Sequence, residues 1–333
     1  MVQPFRAGPV RGVAVPERQP ADPRALAGLV REAFPGVSSV FVTPASGGRL
    51  VVVYRAVVDG VLYYLRLAED PGQDMTTDAL VLKRLRARGV RVPEVVATSP
   101  PAAGFPRSWM IMTGIPGGSI ADGGTDEEAR QAAAAAGRDA AVINSVPVAG
   151  FGWVRRDGSP RLAAELPSYR QFAVSDLPAP WPGALRDAFG PRQLRALREL
   201  AAAEQDRPLR VGHLAHGDLD ATHVYVHAGR YSGIIDFGEM RGADPYFDLG
   251  HFLLHDGETR PARLFGSFLN GYCQVSPLPE DHMEAIRASA ILLGLRQLSH
   301  WLSPERAYPL TTPLVKRRIA DLSNLLTGET GPQ

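Results

Sequence analysis

The chain has 333 residues, 45% hydrophobic and 21% charged, enough to bury the core of one large domain or of two lobes. Its 36 basic and 35 acidic side chains nearly cancel, which argues against a nucleic acid partner. The single cysteine, Cys273, excludes a disulfide framework and a cysteine-rich zinc module, and fits a reducing compartment.

In chain order, residues 1–20 carry charges and prolines where a signal peptide needs an apolar stretch, and read as a flexible leader. Asp22 and Pro23 are a cap and a first helical residue. Residues 50–58 and 61–67 alternate as strands around Asp59-Gly60, a two-residue hairpin turn, after the loop Ala45-Ser46-Gly47-Gly48. A helix is expected over 75–88, with Gly89 as its stop, then extended segments at 94–98 and 109–113. Ile115-Pro116-Gly117-Gly118 reads as a linker. Beyond it the chain turns helical: Thr125 to Glu128 is a capping box before an alanine-rich helix reaching about Val146, and apolar spacing predicts helices at 191–206, 248–256, 280–302 and 313–326. A strand-rich insert covers 213–238. No run of about 18 apolar residues occurs, so no membrane span is expected and a cytoplasmic location is. These elements make an α+β chain with a small β-rich lobe, a hinge and a larger helical lobe.

Chemistry concentrates at His216-Gly217-Asp218-Leu219-Asp220-Ala221-Thr222-His223 and, through a hairpin turning at Gly229, at Ile234-Ile235-Asp236-Phe237-Gly238. His223 follows Asp218 by five positions and Asp236 follows it by 18. The hairpin returns the chain, so Asp236 comes back near His223, and two acids with an imidazole can hold a metal and activate a hydroxyl. A competing zinc-hydrolase reading would use His213, His216, Asp248, His251 and His255, but no HExxH-type signature accompanies them.

HGDLDATH followed by GIIDFGEMRGADPYFDLGHF resembles the core of the aminoglycoside phosphotransferase family, relatives of the protein kinases. The resemblance implies a two-lobed, protein-kinase-like fold, with a nucleotide-binding lobe over 21–114 and a catalytic, substrate-binding lobe over 115–333. It implies Asp218 as catalytic base, His223 and Asp236 as metal ligands, and Asp248 as a brace for the catalytic loop. Upstream, Ser46, Gly47 and Gly48 stand at the phosphate-covering loop, and Arg66 where a lysine meets the phosphates. Asp78 stands where a helix glutamate orients that lysine, and Met112, Thr113 and Ile115 lie in the hinge that meets the base. The cofactors implied are Mg2+, with Mn2+ as the alternative, and ATP as co-substrate, with GTP as the alternative.

This chain departs from the family pattern in three places. Arg66 replaces the lysine, and its longer fork suits the shorter Asp78 as partner. His223 replaces the usual asparagine, which moves the site from a purely oxygen donor set towards manganese. Asn144 stands where many relatives have histidine. The acceptor expected is a small hydroxylated antibiotic. Residues 250–333 hold eight acidic and eight basic side chains and 160–210 hold six and eight, which favours a neutral compound such as a macrolide or nucleoside over a polycation. A choline- or fructosamine-type metabolite kinase, and a kinase-like nucleotide binder without transfer activity, are the alternatives.

Overall fold

The computed structural model describes residues 21–45, 53–70, 72–102, 104–175, 177, 183–208, 211–303, 306 and 308–327. The leader, the Ser46-Gly47-Gly48 loop and the start of the strand expected from residue 50 lie outside the described residues.

The N-terminal lobe runs α1 (Pro23–Ala33), β1 (Val40–Pro44), β2 (Val53–Val58), β3 (Val61–Leu67), α2 (Thr76–Ala87), β4 (Val95–Ser99) and β5 (Trp109–Thr113). Its sheet is antiparallel in the order β1-β2-β3-β5-β4. Asp22 caps α1 as expected, accepting from the Arg24 N–H at 3.0 Å. Asp59 and Gly60 both have positive φ, 45° and 83°, the backbone of a tight hairpin turn. Leu26 and Val30 of α1 cover one sheet face with Tyr54, Ala56, Leu65, Leu67 and Ile111. Strand alternation sends Arg66 to the other face, the one α2 covers with Ala79, Val81, Leu82 and Leu85 against Met110. β1 was not among the expected strands: Val40 is its only buried residue, so it carries no full alternation to read.

The C-terminal lobe contains β6 (Gly118–Ser119), α3 (Asp126–Asn144), β7 (Pro147–Val148), β8 (Phe151–Val154), β9 (Ala164–Leu166), α4 (Tyr169–Val174), α5 (Gly183–Ala188) and α6 (Pro191–Gln205). It continues with β10 (Gly212–Ala215), β11 (Val224–His227), β12 (Arg230–Ile234), β13 (Arg241–Ala243), α7 (Tyr246–His255), α8 (Phe265–Cys273), α9 (His282–Trp301) and α10 (Pro313–Thr327). The predicted capping box at Thr125 and Glu128 is present in both directions. α9 buries Ile286, Ala290, Leu292, Leu295 and Leu298 and is packed on by α7 and α10, as a helix apolar around its circumference must be. Two small sheets, β7-β10-β13-β8-β9 and β12-β11-β6, carry the polar segments. No helix among the described residues is long and apolar enough to cross a membrane.

Candidate active site

β10 delivers the chain to the turn His216-Gly217-Asp218. Gly217 has φ +91°, and a side chain there would collide with the Glu239 carbonyl, so the turn requires glycine. Asp248, fully buried in the first turn of α7, holds this turn by its backbone. Its Oδ2 accepts from His216 N–H and Asn144 Nδ2, each at 2.9 Å, and its Oδ1 accepts from Gly217 N–H at 3.0 Å. Asn144 also donates to Leu214 O at 2.9 Å, tying α3 to the same loop. His216 Nε2 donates to Ile235 O at 2.8 Å, and its Nδ1 receives the Asp218 N–H at 3.3 Å. One nitrogen donates and the other accepts, so the ring is neutral; burial, then the nearby His223, pushes its pKa down.

Asp218 presents its carboxylate to the cleft with about a third of the side chain exposed. His251, one turn beyond Asp248 on α7, reaches Asp218 Oδ1 with Nε2 at 3.3 Å. Its Nδ1 donates to Leu219 O at 3.2 Å. Both ring nitrogens face acceptors. Burial disfavours a charge there, but the hydrogen bond and charge of Asp218 outweigh it and raise the His251 pKa. For Asp218, burial likewise opposes ionisation, and the His251 and His223 rings reverse it and hold the carboxyl well below its usual range.

His223 Nδ1 donates to Asp218 O at 2.6 Å, leaving Nε2 on the cleft side, 4.0 Å from Asp218 Oδ2. The pairing of Val224 with Ile234, and the Ile235 N–H bonded to His223 O at 3.1 Å, bring Asp236 back beside it. Asp236 itself has φ 63° and ψ 63°. A non-glycine residue held there costs about 1–3 kcal/mol and persists only where its surroundings impose it. Arg66, 8% exposed, extends from β3 over this loop, its NH1 3.8 Å from Asp236 Oδ1. Among the described residues its buried Nε has no hydrogen-bond partner.

The expected site residues therefore separate into groups. Asp218, His223, Asp236 and Arg66 line one cleft. Met112 pairs with Tyr64 across β3 and β5, and Thr113 exchanges backbone and hydroxyl hydrogen bonds with Glu94. The Ile115 side chain lies against Gly233. Asp78 does not pair with Arg66. Its Oδ2 receives Arg156 Nε at 2.8 Å, because Arg156 reaches α2 from beyond β8 while Arg66 extends to Asp236. Ser46, Gly47 and Gly48 lie outside the described residues.

The zinc-hydrolase grouping does not assemble. Asp248 is satisfied by backbone donors, His216 by Ile235, and His255 by Glu258 Oε2 at 3.0 Å and Gln297 Nε2 at 3.2 Å. Among the described residues, Asp218, Asp220 and His251 place potential ligand atoms within 4.8 Å of one another. His251 enters that trio as a donor on both nitrogens, and Asp220 Oδ1 accepts from Thr222, so it is a hydrogen-bond cluster. The donor set that fits a divalent cation is His223 Nε2 with the Asp236 carboxylate: a ligating histidine ordinarily donates its other nitrogen to a carbonyl, as His223 Nδ1 does.

Sequence reasoning missed His251 as a partner of Asp218. The signal was available, since a residue three beyond a loop-bracing aspartate shares its helix face. It also missed Tyr64, whose ring packs against Gly114, and Tyr225, whose hydroxyl burial and the neighbouring Tyr64 push up. Arg156 carried no local signal.

The model of the phosphotransferase enzyme family matches residues 42–288. No curated protein matches the sequence. Among solved structures, the chain is similar to a thermostable mutant of the aminoglycoside phosphotransferase APH(4)-Ia in ternary complex with AMP-PNP and hygromycin B. That match has a TM-score of 0.65 at 18% identity, covering 92% of this chain and 100% of that one. It is similar to APH(2")-IIIa in its GDP and kanamycin complex, with a TM-score of 0.60 at 15% identity, covering 92% and 99%. A putative fructosamine-3-kinase from Thermobifida fusca YX-ER1 gives 0.58 at 20% identity, covering 90% and 98%.

Proposed function

Because the chain belongs to the phosphotransferase enzyme family and is a small-molecule kinase with a hydroxyl acceptor, we propose that it moves the γ-phosphoryl group of ATP to a hydroxylated antibiotic-like compound, with Asp218 as base. The observation that carries this reading is the convergence of Asp218, His223, Asp236 and Arg66 on one cleft.

Asp218 is ionised at neutral pH and faces the cleft, so it orients the acceptor hydroxyl and accepts its proton as the new O–P bond forms. Arg66 brings a buried guanidinium whose Nε–H has no partner among the described residues, a donor suited to a phosphate oxygen. In this reading the nucleotide base lies by the strand end Met112–Thr113 and Ile115, beside Tyr64 and its neighbour Tyr225. The Thr113 N–H donates to Glu94 O at 2.9 Å, so it is not the group that meets the base. His223 Nε2 and the Asp236 carboxylate would hold magnesium or manganese. Such a cation would supply charge neutralisation to the transferring phosphates, the main need of a loose phosphoryl-transfer transition state. The protein's own contribution is positioning: the Asp248 bonds fix the loop that carries Asp218 before substrate arrives.

For the acceptor, the balanced charge of the helical segments favours a neutral or weakly charged compound of the macrolide or nucleoside type. The likeness to a putative fructosamine-3-kinase supports a metabolite kinase as second reading. The test is ADP release from ATP or GTP, with magnesium or manganese, across a panel of macrolides, nucleosides, aminoglycosides, choline and fructosamines, beside Asp218→Ala. Acceptor-dependent release, lowered about 10²–10⁴-fold in the variant, is expected. Nucleotide binding without turnover on any acceptor would sink the transfer reading, and turnover confined to choline or fructosamines would replace the antibiotic acceptor.

A further inference from the structure

After β8 the chain leaves its sheet as a strap, Arg155 to Arg161, that lies against α2 of the opposite lobe. Its backbone is pinned there. Asp74 N–H donates to Arg156 O at 2.8 Å, Gly158 N–H to Thr77 Oγ1 at 3.1 Å, and the Arg84 guanidinium to Pro160 O at 2.8 Å. Gly158, at φ +73°, passes so close that a Cβ would stand 2.6 Å from Asp74 Oδ2. From this strap the buried Arg156 side chain reaches two places at once. Nε donates to Asp78 Oδ2 on α2, and NH2 donates to Gly238 O, each at 2.8 Å. Gly238 lies two residues past Asp236, in the short turn that follows it.

We propose that Arg156 is a positioning residue for phosphoryl transfer, coupling α2 to the Asp236 loop and keeping the Asp236 carboxylate in its cleft-facing geometry. This rests on Asp236 acting at the phosphates, as read above. Asp236 sits in a left-handed conformation that relaxes unless neighbouring groups impose it. Arg66 lies against the Gly238 backbone from the cleft side, and Arg156 anchors the Gly238 carbonyl from the side of α2. The planar fork is essential, because Nε and NH2 serve different lobes. A lysine ammonium on a flexible stem can neutralise Asp78 without holding Gly238. The bridge also accounts for the missing contact between Arg66 and Asp78: the helix carboxylate acts on the loop through Arg156.

The test uses the full chain with three variants, R156A, R156K and D78L/R156M. Amide hydrogen exchange is read at residues 76–79 and 237–240, together with melting temperature and steady-state ADP formation with kcat and KM separated. We expect R156A and R156K to lose about 10–100-fold in kcat, the range found when outer groups that orient ligands are removed. Acceptor KM should change little, and amides 237–240 should exchange faster. D78L/R156M removes the buried charges together, so it recovers melting temperature without recovering kcat or protection. Wild-type kcat in R156K, unchanged exchange at 237–240 in R156A, or full kcat in the double variant would each overturn the proposal. If R156A does not fold, the other two variants carry the test. If wild-type protein binds no nucleotide, the functional reading fails, and the exchange comparison still decides whether Arg156 couples helix to loop.

Discussion

On the C-lobe wall of the cleft, one buried carboxylate, Asp248, takes three hydrogen bonds from residues 144, 216 and 217 and so sets directly the loop that carries the proposed base. On the N-lobe wall, Arg66 and Asp78 do not pair with each other and are tied in through Asp236 and Arg156. The first wall is assembled mostly by chain neighbours within one stretch of about forty residues. The second depends on side chains that meet from distant segments, Arg156 being 78 positions from Asp78 and 82 from Gly238. The segment that carries Asp218, the proposed base, is therefore tied down largely by its own neighbours. Where the phosphates would lie, the arrangement depends on how the two lobes are coupled.

The comparison breaks first at Asp248. Asp248→Asn replaces an acceptor-only group with one that turns a donor towards backbone N–H groups, leaving buried polar groups unpaired. A loss of about 3–5 kcal/mol in unfolding free energy is expected, with a matching fall in kcat. Urea unfolding and ADP release check both. A stability loss no larger than that of Arg156→Lys would mean that the two walls are held alike.

The same contrast explains what could be read from sequence. The candidate site was legible because Asp218, His223 and Asp236 are joined by a hairpin whose register their spacing encodes, and Gly217 by a turn that admits nothing else. The α1 cap, the Asp59-Gly60 turn and the Thr125–Glu128 box were legible for the same reason: each is completed within a few residues. Asp78 was placed on α2 correctly and given the wrong partner, since nothing near Arg156 in the chain announces that its strap crosses to the other lobe. Asn144 had no assigned role because its acceptor, Asp248, lies 104 positions away.

Behind Asp218 runs a column of ionisable groups that the N-lobe wall lacks. His251 stacks on His255 at 4.4 Å between ring centroids, His255 donates to Glu258, and Arg318 reaches Glu258 Oε1 at 2.9 Å. Burial opposes the charge on Glu258, yet the His255 hydrogen bond and the Arg318 guanidinium bring its pKa from 4.5 to about 2. A folded value below the unfolded one means stability that is complete above about pH 4.5 and lost as pH falls towards 2. Its size is on the order of 3 kcal/mol. Glu258→Gln should lower unfolding free energy at pH 7 by that order, and the gap from wild type should begin to narrow near pH 5 and close only as pH falls to about 2. Urea titrations across that interval measure it, and a gap independent of pH would assign Glu258 a packing role only.

The smallest effect, and the finest division between the walls, is expected at His251. Its ring holds Asp218 Oδ1 while anchored to Leu219 O, so it constrains where the base points rather than what binds. A hydrogen bond to a charged group contributes about 1.5–3 kcal/mol, so His251→Phe should slow kcat by about 10- to 150-fold at most, with acceptor KM nearly unchanged. His251→Gln restores a donor and should recover most of that loss. In an Asp218→Asn background the His251→Phe penalty should shrink, because the carboxylate that His251 orients is gone. Steady-state kinetics on the four proteins decide the matter. Full additivity of the two losses would mean that His251 acts on the loop backbone through Leu219, which would make the catalytic wall depend on a packed ring in the way the opposite wall depends on Arg156.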